Sequence, residues 1–435
     1  MAGLAGCGGD GGGEMTFLHF ETSDDRRNTF DAIGNAWAED SDFTFNERDV
    51  PEEDLPTEIT SSVAAGTLPA TAELPNSVLF DARDAINEEP ANDIIDELGE
   101  DAFYDRTLEF VSDGEGDYLG VPLYTWTQLY GWDEQYRQEN SLPEPTTWED
   151  FKAFAEFTHD PENDKYGCLV GHDSSPFTIQ GFQPFALAND AHVFDEDGNI
   201  IFDDQEMVEA LEFYASLADL TPPGQTNADS FGAWEKNDEG ERQTSVYTSN
   251  TLSFFLETTF DGSAEGWRTS MTMERSKEAT YGEVVSTTTM AVDDEDLISA
   301  SEEFQKYLHN TEDDIITPTA TADMTAGAGS PYIAFLHLQP GLFNPTRPAV
   351  QESDAFRSLD LFEVWPDEWL DELVPNAIGS MERFGRRGNN VFPEIGEITS
   401  EFLITGAIQD ILAGDDPESV ANEAAEEMRG IVDDG

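Results

Sequence analysis

Apolar and polar positions alternate between two periods from the start of the chain. Thr16-Phe17-Leu18-His19-Phe20 is a short, mostly apolar run of the kind that forms a buried parallel strand. Phe30, Ile33 and Trp37 then recur at helical spacing, behind a cap at Ser23 or Asp24. Phe43-Thr44-Phe45 predicts a second strand, Leu55, Ile59 and Val63 a helix ending at Gly66, and Ser77-Val78-Leu79-Phe80 a third strand. Ile94, Ile95 and Leu98 belong to another helix. Repetition of strand and helix with short loops predicts an α/β chain with a largely parallel sheet.

The pattern resumes farther on. Thr147 caps a helix carrying Trp148, Phe151 and Phe154, with Asp150 placed as in a capping box. Val193-Phe194 and Ile200-Ile201-Phe202 flank Asp195-Glu196-Asp197-Gly198-Asn199 as two strands around a tight turn. Met207, Leu211, Tyr214 and Ala218 share one face of a helix over 205–219. Ile398, Phe402, Thr405 and Ile408 predict one helix that Gly414 stops, and Pro417 opens a last one with Val420, Ala424 and Met428. No stretch approaches the roughly 18 apolar residues of a transmembrane helix.

Charge changes the picture most. The 435 residues hold 93 Asp and Glu against 20 Lys and Arg, and only five are lysine. Disordered acidic chains lack aromatics, whereas this one has 29 Phe, 11 Tyr and 8 Trp, enough for large cores. Such a surface repels itself in dilute salt and is screened in molar salt, where the Debye length is about 3 Å. Acid-rich, lysine-poor globular proteins resemble those of extreme halophiles, and folding is expected to depend on salt. Nucleic acid and anionic lipid are poor partners for this sign.

Candidate chemistry is mostly excluded. Six scattered histidines offer no metal-ligand spacing, so neither a metal nor a cofactor is expected. Asp195-x-Asp197-x-Asn199 fits only half of a calcium loop and reads as a hairpin turn. Phosphate-binding glycine loops and a Gly-x-Ser-x-Gly elbow are absent. Cys168 reads as a buried small hydrophobe. What remains is aromatic density: Tyr124, Trp126, Tyr130 and Trp132 within nine residues, then Trp234, Phe254, Phe255 and Trp267. Flat rings suit sugar C–H faces, although any single ring is more often core.

At the start, Leu4-Ala5-Gly6-Cys7 resembles a lipobox, and Gly8-Gly9-Asp10-Gly11-Gly12-Gly13 reads as a flexible tether. Residues 1–6 then look like the tail of a signal peptide, with either a start codon assigned too late or an upstream part removed. Cys7 would become the lipidated N-terminus, which places the protein on the outer face of the membrane.

A longer set of motifs carries a family resemblance. Gly120-Val121-Pro122-Leu123 leads to Leu129-Tyr130-Gly131-Trp132-Asp133, then Leu142-Pro143-Glu144-Pro145-Thr146-Thr147-Trp148-Glu149-Asp150-Phe151 and Lys165-Tyr166-Gly167. Ala64-Ala65-Gly66-Thr67-Leu68-Pro69, Phe185-Ala186-Leu187-Ala188-Asn189-Asp190 and Leu412-Ala413-Gly414-Asp415-Asp416-Pro417-Glu418 fit in the same order. Together they resemble the extracellular solute-binding proteins of ATP-driven (ABC) importers, the group of maltose-binding protein.

The resemblance implies two Rossmann-like α/β lobes of the periplasmic-binding-protein type II fold, with a hinge and a ligand cleft between them. Lobe one would be 14–123 plus 286–330, and lobe two 124–285 plus 331–435, after a remnant at 1–13. It also implies the site residues His19, Glu21, Asp81, Arg83, Trp126, Phe182, Gln183, Ser249, Asn250 and Thr251. The family's stacking Trp after an Asn-Gly-Pro is missing here, and Trp234 or Phe254 would substitute. Arg386 and Arg387 could meet an anionic ligand or pair with surface carboxylates, and the second is favoured. The expected function is binding of an extracellular carbohydrate, an oligosaccharide foremost, by a lipid-anchored monomer that delivers it to permease subunits and catalyses nothing. A polyol, a phosphorylated polyol or another solute is the alternative ligand, and an extracellular carbohydrate-active enzyme the alternative class.

Overall fold

The computed structural model describes residues 13–20, 24–163, 165–222, 244–249, 267–312, 329–338, 343–358, 369–388 and 390–434. Packing divides the chain into two units: Met1–Glu100, Asp117–Leu123 and Val285–Leu338 form one, and Asp101–Gly116, Tyr124–Val284 and Gln339–Gly435 the other. The reading from sequence puts 101–116 in the first lobe and 331–338 in the second; packing groups each with the opposite unit.

In the first unit Glu14–His19 lies between Thr44–Asp49 and Thr71–Pro75, parallel to both. The second half of the Glu278–Met290 strand joins antiparallel, with Val285 opposite Pro75 and Thr289 opposite Thr71. Phe17 meets Phe30 from the Asp24–Ala38 helix and Phe304 from Glu295–Leu308, with ring centroids 4.8 and 5.4 Å away. The Leu55–Ala65 helix stops at Gly66, whose φ of 67° suits glycine. Val63, placed by its spacing on the apolar stripe, is exposed at that helix end.

The third strand departs from expectation. It is Thr71–Pro75, and Asn76–Leu79 forms a helical turn. Every residue of Thr-Ala-Glu-Leu-Pro is buried, Glu73 included. Glu73 is neutralised by buried Arg26, whose guanidinium lies over the Phe20, Phe30 and Phe335 rings. A hydrophobicity pattern cannot anticipate a core carboxylate, because its partner lies 47 residues away.

Beneath the Glu295–Leu308 helix, a hydroxyl network fills what would otherwise be polar debt. Ser301 Oγ meets the hydroxyls of Thr71 at 2.7 Å and Thr289 at 2.8 Å, and Gln305 Nε2 donates to Thr289 Oγ1 at 2.8 Å. Thr288 Oγ1 donates to the Leu119 carbonyl at 2.7 Å. With the Ser286 hydroxyl donating to the Leu74 carbonyl at 3.5 Å and Thr287 Oγ1 3.1 Å from His309 Nε2, these bonds let the run Ser286-Thr287-Thr288-Thr289 sit fully buried in a central strand.

In the second unit a four-stranded sheet runs Tyr166–Leu169, Thr244–Ser249, Leu129–Asp133, Trp267–Ser270. The first pair is parallel and the others antiparallel. Thr147 caps the Trp148–Thr158 helix, its Oγ1 accepting from the Asp150 N–H at 3.1 Å. That helix packs so closely on the sheet that a Cβ on Gly167 would lie 2.1 Å from the Ala155 carbonyl oxygen. Cys168 beside it is buried, and burial pushes its thiol up to about 12. Asp195 accepts from the backbone N–H groups of Asp197 and Asn199 at 2.9 and 2.8 Å, which makes the predicted turn.

Two helical expectations change here. The Gln205–Ala215 helix is shorter than predicted, and Ala218 falls in a 3-10 turn. The predicted helix through Ile398 and Phe402 is two, Ile395–Ser400 and Leu403–Ala413. Phe402 breaks them with a φ of 60° and is 51% exposed, so it leaves the apolar stripe that its spacing assigns it.

Candidate functional site

Of the seven side chains in the Val121–Thr127 strand, only Trp126 is partly exposed. Its indole meets Tyr281 edge to face, with ring centroids 5.6 Å apart and planes at 78°. Tyr281 and Glu283 stand two residues apart on the Glu278–Met290 strand and so share a face. The Tyr281 hydroxyl donates to Glu283 Oε1 at 3.1 Å, and Arg383 Nη1 lies 3.2 Å from the same oxygen. Arg383 arrives there because Met381–Glu382 pairs in parallel with the long strand, placing Glu382 opposite Tyr281. The Gln128 N–H donates to the Tyr281 carbonyl at 2.8 Å and ties Trp126's strand to the same frame. Tyr281 and Glu283 are themselves buried, so they orient the two groups that stay partly exposed, the Trp126 ring and the Arg383 guanidinium, which can offer a hydroxyl-rich solute an apolar face and hydrogen-bond donors.

The residues expected from sequence meet different fates. His19 is fully buried, its ring 4.9 Å from Phe30 and its Nε2 3.5 Å from Glu47. Phe182 is also fully buried, packed against Tyr214 and Phe384 at 5.3 and 6.0 Å. Both are core side chains in this structure and present no surface to a solute. Gln183 is buried as well, and its Oε1 accepts the Phe384 N–H at 2.7 Å. It therefore fixes the backbone next to Arg383 instead of facing outward. Asp81 and Arg83 are exposed in the first unit, after a helical turn and not directly after a strand. Ser249 ends the Thr244–Ser249 strand opposite Leu129. Cys7, Glu21, Trp234, Asn250, Thr251 and Phe254 lie outside the described residues.

Among the described residues, Trp126 is thus the one expected residue found in the cluster. Tyr281 and Glu283 escaped the sequence reading because the Ser-Thr run after them hides their strand, and Arg383 because it reaches them only through the distant pairing of Met381–Glu382 with that strand. The signal available was the Tyr-Gly-Glu alternation near the expected crossing at 285–286.

Flanking the cluster is a second charged group. Lys277 Nζ sits 2.8 Å from Glu382 Oε1 and 2.9 Å from Asp190 Oδ1, and Arg387 Nη1 is 3.1 Å from the same Asp190 oxygen. His192 Nε2 lies 3.3 Å from Glu382. Burial pushes both carboxyls up, but hydrogen bonds outweigh it: Arg387 and Lys277 bring Asp190 down to about 2, and His192 and Lys277 bring Glu382 down to about 2. Burial holds His192 below its ordinary value, against the pull of Glu382. Two carboxylates thus balance a lysine and an arginine around a neutral imidazole. Arg387 pairs with a carboxylate, as favoured from sequence, while Arg386 is buried and donates to the carbonyls of Glu109 and Phe110.

Among the described residues, no three His, Cys, Asp or Glu side chains are placed to hold a metal ion, and no helix is long and apolar enough to cross a membrane.

Comparison with known proteins agrees with this architecture. The sequence profile of a family described as bacterial extracellular solute-binding protein matches residues 32–313. A protein of Escherichia coli K12 named as an ABC transporter periplasmic-binding protein, YcjN, is 24% identical over 407 residues, covering 92% of this chain and 88% of its own. Among solved structures, maltose-bound MalE3 of T. maritima superposes with a TM-score of 0.73 at 14% identity, over 97% of this chain and 100% of the other. A solute-binding protein of Agrobacterium radiobacter K84 in complex with ribitol gives 0.72 at 17% identity, over 97% and 99%. The cyclic α-maltosyl-1,6-maltose binding protein of Arthrobacter globiformis gives 0.69 at 17%, over 97% and 99%. At these identities the structural likeness establishes a mixed α/β fold of the MalE type.

Proposed function

The chain belongs to the bacterial extracellular solute-binding protein family, and from that premise we propose that it captures an extracellular carbohydrate, an oligosaccharide foremost, for an ABC-type importer. Members of this family bind and do not transform their solutes, so the reading includes no reaction. The observation that carries it is the Trp126 ring set beside the Tyr281–Glu283–Arg383 cluster. A partly exposed indole supplies the flat apolar face, and the Arg383 guanidinium, held in place by buried Glu283, supplies donors for hydroxyl groups. Asp81 and Arg83 are proposed as a polar pair from the first unit.

A polyol is the second reading, favoured by the likeness to the ribitol complex. The partner is a set of permease subunits, the working form a monomer, and the location the outer face of the membrane through a lipid on Cys7. The excess of 93 acidic over 20 basic residues supports a salt-dependent fold of the halophilic kind.

Titration calorimetry with maltose, maltotriose and ribitol in molar salt tests the proposal. At least one is expected to bind saturably, and Trp126→Ala to weaken it about tenfold or more while leaving the unfolding midpoint within a few degrees. Absence of binding by every sugar and polyol tried would remove the carbohydrate assignment. Release of shortened product from a labelled oligosaccharide would replace it with the enzyme reading.

A further inference from the structure

The second unit contains a cavity of about 360 Å³ that shares no residue with the Trp126 cluster. Its size is within the range of small-molecule sites, roughly 300–1,000 Å³. One wall is Gln351, which is 1% exposed. The Gln351 Nε2 donates to the Leu370 carbonyl at 3.2 Å, which fixes the orientation of the amide, because a flipped one would set two oxygens against each other. Its Oε1 is then a buried acceptor with no hydrogen-bond partner among the described residues. Such an atom calls for a donor from elsewhere.

The remaining walls define that donor. Arg357 donates from Nε to the Gln351 carbonyl at 2.9 Å and from Nη2 to Asp371 at 2.6 Å, so the Asp371 charge is matched. Glu352 also lines the cavity and adds a second carboxylate, leaving one net negative charge. Burial, followed by the charge of Glu352, pushes the Tyr104 phenol up to about 12, so Tyr104 keeps its proton and adds no charge. Leu370 and Pro375 supply the apolar part. Leu370 and Asp371 both stand on the π-helical turn Trp369–Leu373, a rare conformation that is frequent at functional sites.

We propose that this cavity is a second ligand site, separate from the solute site, that takes a small organic ammonium compound. An N–H of the ligand donates to Gln351 Oε1, its positive charge is matched by Glu352, and its methylene groups lie on Leu370 and Pro375.

The test uses the full chain and 1,4-diaminobutane, with butane-1,4-diol as an uncharged control of similar size. Calorimetry is run in about 1 M salt, where the Debye length of about 3 Å suppresses diffuse attraction to the acidic surface. The diamine is expected to bind saturably and the diol at least about fivefold more weakly. Glu352→Gln, an exposed change that leaves the fold intact, should weaken the diamine about fivefold, and Gln351→Met should weaken it further. Trp126→Ala should leave diamine binding unchanged whether or not any sugar binds, which separates this proposal from the solute reading. No saturable heat, equal binding of diamine and diol, or indifference to Glu352→Gln would each overturn it, as would loss of diamine binding in Trp126→Ala.

Discussion

Replacing Glu382 by glutamine keeps the shape of the side chain and removes the charge at the centre of the Lys277–Asp190–His192–Arg387 group. Glu382 is 22% exposed and touches Lys277 at 2.8 Å and His192 at 3.3 Å. A carboxyl held at about 2 instead of 4.5 stabilises the fold by about 3 kcal/mol at neutral pH. The glutamine oxygen can still accept from Lys277, so the expected loss at pH 7 is about 1–3 kcal/mol.

The sign of the pH dependence follows from the depressed value. The contribution is complete above about 4.5, where both folded and unfolded carboxyls are ionised, and is lost as pH falls through about 2. At pH 3 it has dropped to about 1.4 kcal/mol, because the unfolded carboxyl is then largely protonated. His192 loses the upward pull of Glu382 in the variant, so protonating it in the folded state costs more there, which offsets part of the narrowing at pH 3. Urea unfolding of wild type and Glu382→Gln, at pH 7 and pH 3 in the same molar salt, measures the two gaps. The gap should still be smaller at pH 3 than at pH 7. An equal gap at both pH values, or none at pH 7, refutes the account of Glu382 as an ionic hub.

Three further outcomes are expected. Glu73→Gln removes the buried carboxylate that Arg26 meets and should cost about 3–5 kcal/mol, while the double change Arg26→Met, Glu73→Leu should recover much of that loss; a cycle of denaturant midpoints reads both. Gly167→Ala brings a methyl to within 2.1 Å of the rigid Ala155 carbonyl and should lower stability by about 1–3 kcal/mol, seen as a fall in the melting temperature. Cys168, with its thiol raised to about 12 by burial, should resist maleimide in the native protein and react only once denaturant opens the unit; rapid native labelling at Cys168 would contradict the packing.

The local rules written in the sequence held where neighbours in the chain supply the physics. Thr147 with Asp150 makes its cap, Gly66 stops its helix, and Asp195 folds its own turn. The ordered motifs likewise led to the family and to the α/β fold, and they marked Trp126 as a residue of interest.

Tertiary structure decided whatever depends on partners far along the chain. Thr71–Pro75 is a strand because Arg26 neutralises its buried glutamate, and Ser286–Thr289 can be core because Leu74, Leu119, Ser301 and His309 satisfy its hydroxyls. Phe402 spaces like a core residue and is instead exposed at a left-handed break. His19 and Phe182 sit at positions that the family resemblance assigns to a ligand, yet they pack among rings from distant elements. The Trp126 cluster draws its ring from one strand, its tyrosine and carboxylate from another 155 residues later, and its guanidinium from a loop beyond both. Periodicity reports which side of an element is apolar. It does not report which distant charge or hydroxyl will arrive to meet a polar side chain, and in this protein that arrival determines what is core and what can be a site.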